Sequence, residues 1–269
     1  MIIEYNIPFI KQEDFEAHVK STISQYSQSL KCINLKRFNS QLIDPIKLLF
    51  DKTIFNKSYD EIIKLEIHRQ RDKSNNNVIG YFHQNLFKYI KNCTVPKKGW
   101  DIIFKNDNLT YYIEMKNKHN TMNSSSSAKT YIKMQSHLLN AVDKNTSICS
   151  LVEVIAKRSQ NIPWIVSIDG VKQTPNPNLR RISIDKFFEL VTGIKDAFKI
   201  ICMQLPNTIE KIILQNQNLL AKQDTVINEL KNIDNVTLVA LYKLAFETYE
   251  GFSFKIKEEN KANEREETK

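Results

Sequence analysis

The sequence predicts a mixed α/β fold, a central sheet flanked by helices, with helical segments at both ends of the chain. Apolar residues recur at three- and four-residue steps through the first third and again beyond Lys195, which is the period of an amphipathic helix. Between these regions lie short apolar runs bounded by turn residues, the signature of strands. Glycine and proline are scarce, at 5 and 7 in 269 residues, so most of the chain should be regular structure.

In the N-terminal part, Phe15, Val19, Ile23 and Tyr26 mark one helix. Residues 59–72 form a second, with Ile62, Leu65 and Ile63 or Ile67 turned inward. Ser74-Asn75-Asn76-Asn77 reads as a polar break before a third helix carrying Ile79, Phe82, Leu86 and Tyr89. The texture changes at Pro96-Lys97-Lys98-Gly99-Trp100. Asp101-Ile102-Ile103-Phe104 is a short strand, Lys105-Asn106-Asp107-Asn108 supplies turn chemistry, and residues 109–115 form a second strand. The pair is expected to be an antiparallel hairpin. The serines at 124–127 offer N-caps for a helix to about Asn140. Residues 148–155, 164–168 and 181–184 are expected as strands, with a Pro-Asn loop at 174–178 and Asp185 capping a helix over 186–192. Residues 195–249 read as helical, interrupted near Pro206 and near 232–235. We expect a single domain over 1–256, divided into a helical part (1–95), a core (96–194) and a second helical part (195–256). A charged, disordered tail is expected over 257–269.

The net charge of +9 favours a polyanionic partner, because each phosphate contact releases counterions. The tail carries both signs, so the surplus lies in the body. Cys32, Cys93, Cys149 and Cys202 are widely spaced, which fits neither a zinc module nor a disulfide framework. Buried free thiols in a reducing cytosol are the plainer reading. No basic segment followed by an apolar run opens the chain, and no stretch approaches the roughly 20 apolar residues of a membrane span. A cytoplasmic protein is expected.

The hairpin carries the chemistry. Alternation puts Glu114 and Lys116 on one face of the second strand, with Ile113 and Met115 on the other. The start of the first strand, Asp101, can lie beside them. Two carboxylates and an ammonium at one sheet edge suit phosphodiester hydrolysis. Hard oxygen ligands hold Mg²⁺, which acidifies a bound water, while the lysine stabilises charge on the attacked phosphate. Glu66, on the 59–72 helix, is the candidate for a third metal ligand. Glu-x-Lys also describes an ordinary solvated strand face, and it recurs by chance in any proteome. A site is favoured by the apolar flanks of the strand, by the aspartate after Gly-Trp, and by the phosphate-contacting groups in the segment that follows.

The run Gly99-Trp100-Asp101-Ile102-Ile103-Phe104 and the stretch from Tyr112-Ile113-Glu114-Met115-Lys116 through Asn117-Lys118-His119-Asn120-Thr121-Met122-Asn123-Ser124-Ser125-Ser126-Ser127 to Lys133-Met134-Gln135 resemble the bacterial type II restriction endonucleases that cut GGNCC sites. The blocks Asp72–Asn77 and Gly80-Tyr81-Phe82-His83-Gln84-Asn85 are also similar, and the resemblance spans at least 44–164. It implies a PD-(D/E)XK fold, dependence on Mg²⁺, cleavage of both strands of duplex DNA, and catalytic positions at Asp101, Glu114 and Lys116. The superfamily's proline is absent, since Trp100 precedes Asp101.

DNA contacts are expected from Lys118, His119, Asn120, Asn123, Ser124, Ser125, Lys129, Thr130 and Lys133, which follow the catalytic strand directly. A helix beginning near Ser125 would offer free N–H groups to a phosphate. Asn76, Asn77, His83 and Gln84 form a second candidate group, while a polar loop and a satisfied inner-face histidine are the plainer readings of it. Arg180 and Arg181 are the best isolated basic pair, although such a pair is more often solvated surface. One catalytic set per chain and a palindromic target imply a symmetric homodimer. A cognate DNA methyltransferase would act on the same site without needing to bind this chain. Two alternatives remain: a repair or recombination nuclease on the same core, and a non-catalytic DNA-binding protein using Ile209, Ile212, Ile213 and Leu220 as a partner stripe.

Overall fold

The computed structural model describes residues 4–29, 32–106, 108–119, 121–216 and 224–246. In chain order, α1 (Gln12–Ser29), α2 (Leu35–Asn39), α3 (Pro45–Ile54) and α4 (Tyr59–Leu86) precede β1 (Cys93–Thr94), β2 (Ile102–Lys105) and β3 (Thr110–Lys118). Helix α5 (Ser124–Asn140) leads to β4 (Ser147–Ile155), β5 (Asn161–Pro163), β6 (Ser167–Ile168), β7 (Val171–Lys172) and β8 (Leu179–Ser183). Then come α6 (Ile184–Thr192), α7 (Ala197–Gln215), α8 (Val226–Ile233) and α9 (Thr237–Phe246). Two compact units result: Met1–Gln28 with Asn75–Leu220, and Ser29–Ser74 with Ala221–Lys269.

The first unit is built on a mixed sheet of six strands in the order β1-β2-β3-β4-β8-β5. The β2–β3 hairpin is antiparallel, as expected, and β3–β4 and β4–β8 are parallel. Residues 147–154 of β4 are buried almost without a break, which is the pattern of a parallel strand covered on both faces. On one face Tyr111, Ile113 and Met115 meet Phe15 and Val19 of α1 and Phe187 and Phe188 of α6. Phe87 packs at a tilt against both α6 phenylalanines, with ring centroids 4.9 and 4.7 Å away. On the other face Tyr131 and Met134 of α5 cover Cys149, Leu151, Trp164 and Leu179. Each such side chain, fully buried, contributes about 1.5–3 kcal/mol. The second unit is helical: Ile33, Phe38, Leu48, Ile62, Ile63, Ile67, Val226, Leu230 and Leu241 form its core. Arg71 locks it by forking onto Asp224 at 2.6 and 2.9 Å.

Several local expectations change. The polar break at 74–77 does not occur, and α4 runs unbroken through it. No Gly or Pro interrupts that stretch, Asn costs a helix only about half a kcal/mol per residue, and the Asn117 amide donates to the Asn76 carbonyl at 3.2 Å. Helix α7 likewise runs through Pro206, with Ile201, Gln204, Thr208 and Ile212 buried along it. Burial of that face outweighs the roughly 3 kcal/mol a helix proline costs. The strand expected over 164–168 is displaced, because the Trp164 N–H turns to Leu179 O at 2.7 Å and its ring fills the core. Asn123 rather than a serine caps α5, accepting from Ser126 N at 2.8 Å. Ser183 holds the N-cap position of α6, and Asp185 lies in its first turn. The thiols are free, as expected, but only Cys93 and Cys149 are buried. Burial pushes both of those thiols up to about 12. Among the described residues no helix is long and apolar enough to cross a membrane. The tail over 257–269 lies outside the described residues.

Candidate active site

Asp101 is tied to β3 at both its backbone and its side chain. Its N–H donates to Ile113 O at 2.9 Å, and its carboxylate Oδ2 accepts from Met115 N at 2.7 Å. The carboxylate therefore lies across the hairpin between the positions of Glu114 and Lys116. Behind it, Gln84 of α4 donates to the Asp101 carbonyl at 3.0 Å. Glu114 and Lys116 share the face of β3 that α5 covers. Lys133 of α5 bonds Glu114 Oε1, donates to the Gly99 carbonyl at 2.6 Å and lies 4.3 Å from the Trp100 ring centroid. Gly99 adopts φ +97°, a conformation that favours glycine, and so lets the chain turn into Trp100-Asp101. Among the described residues, the half-buried Lys116 has no hydrogen-bond or ion-pair partner.

Two carboxylates on neighbouring strands are a hard-oxygen donor pair. Mg²⁺ is commonly held by one or two carboxylates together with waters and substrate phosphate, so the pair fits that ion. Among the described residues, no group of three or more His, Cys, Asp or Glu gathers in a metal-binding cluster. Glu66 belongs to the second unit, whereas Asp101 and Glu114 belong to the first. Its buried carboxylate is gripped by Arg69 at 2.6 and 2.7 Å and by Gln70 at 3.2 Å.

The residues expected at DNA fall into groups. Lys118 is exposed at the end of β3, and Ser124, Ser125 and Lys129 are exposed on the first turns of α5. Asn123 caps that helix, and the Thr130 hydroxyl bonds back to Ser126 O at 3.0 Å. Asn120 lies outside the described residues. Asn76 and Asn77 are exposed on α4. His83, also on α4, sets its ring edge-on to Phe82, with centroids 5.3 Å apart.

Burial, helped by nearby His18, pushes the His83 pKa down to about 4, so the ring is neutral at pH 7. The unfolded chain therefore takes up a proton that the folded chain refuses between about pH 6.5 and pH 4. Stability from this group is present above that window and is lost as pH falls through it. Urea midpoints should drop from pH 7 to pH 5, and the drop should shrink in His83→Gln. An equal drop in the variant would assign the acid sensitivity to other groups.

One cluster escaped the sequence reading. Glu153, 1% exposed on β4, is the register neighbour of Lys116. Arg181 of β8 forks onto it, with Nε 3.0 Å from Oε2 and Nη2 on Oε1. His119 Nδ1 lies 3.1 Å from Glu153 Oε2 and 2.8 Å from Arg181 Nη2. The available signal was a lone carboxylate inside the apolar run 148–155.

Comparison with known proteins agrees with this architecture. A family model described as Eco47II restriction endonuclease matches residues 7–214. The type II restriction enzyme Sau96I of Staphylococcus aureus is 30% identical over 211 residues, covering 76% of this chain and 80% of the relative. The type II restriction enzyme Eco47II of Escherichia coli is 28% identical over 212 residues, covering 77% and 88%. Type II restriction endonucleases generally use divalent metal ions and act on DNA. With the match spanning α1 through most of α7, the mixed sheet and its hairpin included, this chain belongs to the Eco47II restriction endonuclease family of type II enzymes.

Proposed function

We propose that the chain hydrolyses both strands of duplex DNA at a short interrupted palindrome, GGNCC, with Mg²⁺, as the cutting half of a bacterial restriction–modification system. The observation that carries this reading is the Asp101 carboxylate, tied to the Met115 amide across the hairpin from Glu114 and Lys116. Asp101 and Glu114 supply the oxygen ligands. Mg²⁺, when bound there, lowers the pKa of a water and offsets charge on the phosphate. Lys116, with its uncommitted ammonium, orients the attacking water and stabilises the negative charge that builds on the phosphate. The exposed N-terminal turns of α5, with Lys118 and Lys129 beside them, support a phosphate-binding edge next to this centre.

Specificity and assembly belong to the same proposal. Lys, Arg, Asn or Gln side chains read the G bases in the major groove. A symmetric homodimer matches a palindrome and cuts both strands in one binding event. The enzyme works in the cytoplasm, where a methyltransferase protects the same site in the host. Plasmid incubated with the protein and Mg²⁺ should give fragments whose sequenced ends share GG and CC flanks. Ends without them would remove the site assignment, and intact plasmid would remove the nuclease reading. Sedimentation of one chain per cut duplex would exclude the dimer.

Lys133 yields a separate expectation. Its ammonium competes with a metal ion for Glu114. The pair is partly exposed, so removing the lysine should tighten binding only roughly two- to fivefold. Titration calorimetry with Mn²⁺ should show this for Lys133→Met, and unchanged or weaker binding would rule out competition.

A further inference from the structure

We propose that Arg181 and His119, held by the buried Glu153, form a second anion site beside Lys116 that grips one backbone phosphate of the cleaved strand. The inference rests on the nuclease reading above and adds a positioning residue, Glu153, and a phosphate contact, Arg181. Neither belongs to the Asp101–Glu114–Lys116 set.

The geometry carries the argument. Residues 114, 116, 151, 153, 179 and 181 face one side of the sheet, because β3, β4 and β8 run parallel in register. Glu153 stands one strand away from Lys116, roughly 4.8 Å in a parallel ladder. Its carboxylate occupies Arg181 Nε and Nη2 in a side-on fork. Arg181 Nη1 makes no hydrogen bond among the described residues. In a side-on fork Nη1 lies at the far edge of the guanidinium, so its two N–H groups are left for another acceptor. His119 Nδ1 faces both Glu153 and Arg181 and can serve one of them at a time: protonated it donates to Glu153, unprotonated it accepts from Arg181. When Nδ1 accepts from Arg181, Nε2, across the ring, carries the proton and points away from the carboxylate. The His119 backbone is pinned as well, its N–H donating to Ile155 O at 2.9 Å.

Arg181 is donor-only, His119 offers Nε2–H when Nδ1 accepts from Arg181, and both are partly exposed, with side-chain exposure of 21% for Arg181 and 27% for His119. Glu153 engages only the Nε and Nη2 edge of Arg181, so the outward edge of the guanidinium is left facing an anion. His119 directly follows β3, and Glu153 is the register neighbour of Lys116, so the patch adjoins the catalytic strand. A DNA backbone that presents its scissile phosphate to Lys116 brings a neighbouring phosphate within reach of Arg181. Phosphate contacts of this kind set register rather than read sequence. Glu153 touches no DNA; it fixes the guanidinium so that little side-chain freedom is lost on binding.

The test uses the full chain carrying Asp101→Asn, so that DNA is bound and not cut while the Met115 N–H keeps its acceptor. Binding is measured to GGNCC duplexes carrying single neutral methylphosphonate linkages, one position at a time, and across a salt series. One linkage beside the cut position should weaken binding roughly tenfold. Adding Arg181→Gln should abolish sensitivity to that linkage and lower the salt slope by about one unit. The same linkage sensitivity and the same slope in the double variant would overturn the proposal, whatever the variant's thermal stability. If Arg181→Gln fails to fold, Arg181→Lys takes its place. It keeps a cation for Glu153 but lacks the outward nitrogen, so the linkage should matter less, and undiminished sensitivity would again overturn the proposal. Wild-type protein that cuts DNA but shows no sensitive linkage removes only this site. Wild-type protein that cuts nothing removes the reading on which it rests.

Discussion

Glu114→Ala is expected to lower single-turnover cleavage of a cognate duplex by about three orders of magnitude or more, with binding of the duplex largely retained. The size follows from the several kcal/mol of transition-state charge stabilisation that a carboxylate-held divalent ion supplies, since roughly 4 kcal/mol is a factor of about a thousand. Asp101→Ala should do the same but carries a structural side effect, because the Asp101 carboxylate also accepts the Met115 N–H. Asp101→Asn separates the two, as an amide oxygen still accepts that bond but is a poor metal ligand. Lys116→Ala should lose cleavage with less effect on metal affinity, because the ammonium is not a ligand. Rapid-quench kinetics and fluorescence anisotropy measure the two quantities. Normal turnover by Glu114→Ala would sink the catalytic assignment.

Arg181→Ala should cost about 3 kcal/mol of stability, the largest effect expected from one polar substitution in the sheet. Removing the guanidinium leaves the Glu153 charge buried, with His119 as its remaining hydrogen-bond partner among the described residues. Glu153→Leu combined with Arg181→Leu should cost less than Arg181→Ala alone, because no charge is then stranded. Denaturant midpoints decide the matter. A double variant less stable than Arg181→Ala would mean that the pair contributes net stability beyond cancelling its own burial.

The hairpin was legible because its signals are local. Ile102 and Phe104 alternate against Tyr111, Ile113 and Met115, and Asn106 and Asn108 flank the turn between them. The Glu-Met-Lys spacing places Glu114 and Lys116 on one face by alternation alone. Glu153 was not legible. Its partner Arg181 is 28 residues away, and the two meet only because β8 lies beside β4. The unbroken α4 was missed because Ser and Asn are turn residues by propensity, a weak local preference that tertiary contacts such as Asn117 with Asn76 override. Helices α2 and α3 fall within the expected helical part but were not placed individually, and the contribution of segments far apart in the chain to one helical core was not anticipated.

That interleaving sets an order of events during synthesis. The sheet unit is drawn from residues up to Leu220, whereas the helical unit takes in Ser29–Ser74 together with α8 and α9. At about 5–20 residues per second, the segment Ala221–Lys269 takes roughly 2–10 s to translate. Through that interval the sheet can close while Ile33, Phe38, Ile62 and Ile63 still lack Val226, Leu230 and Leu241 to bury against. A nascent chain therefore passes through a stage in which the strand framework is complete and a patch of helical apolar surface waits, open to chaperones, for the last helices to leave the ribosome.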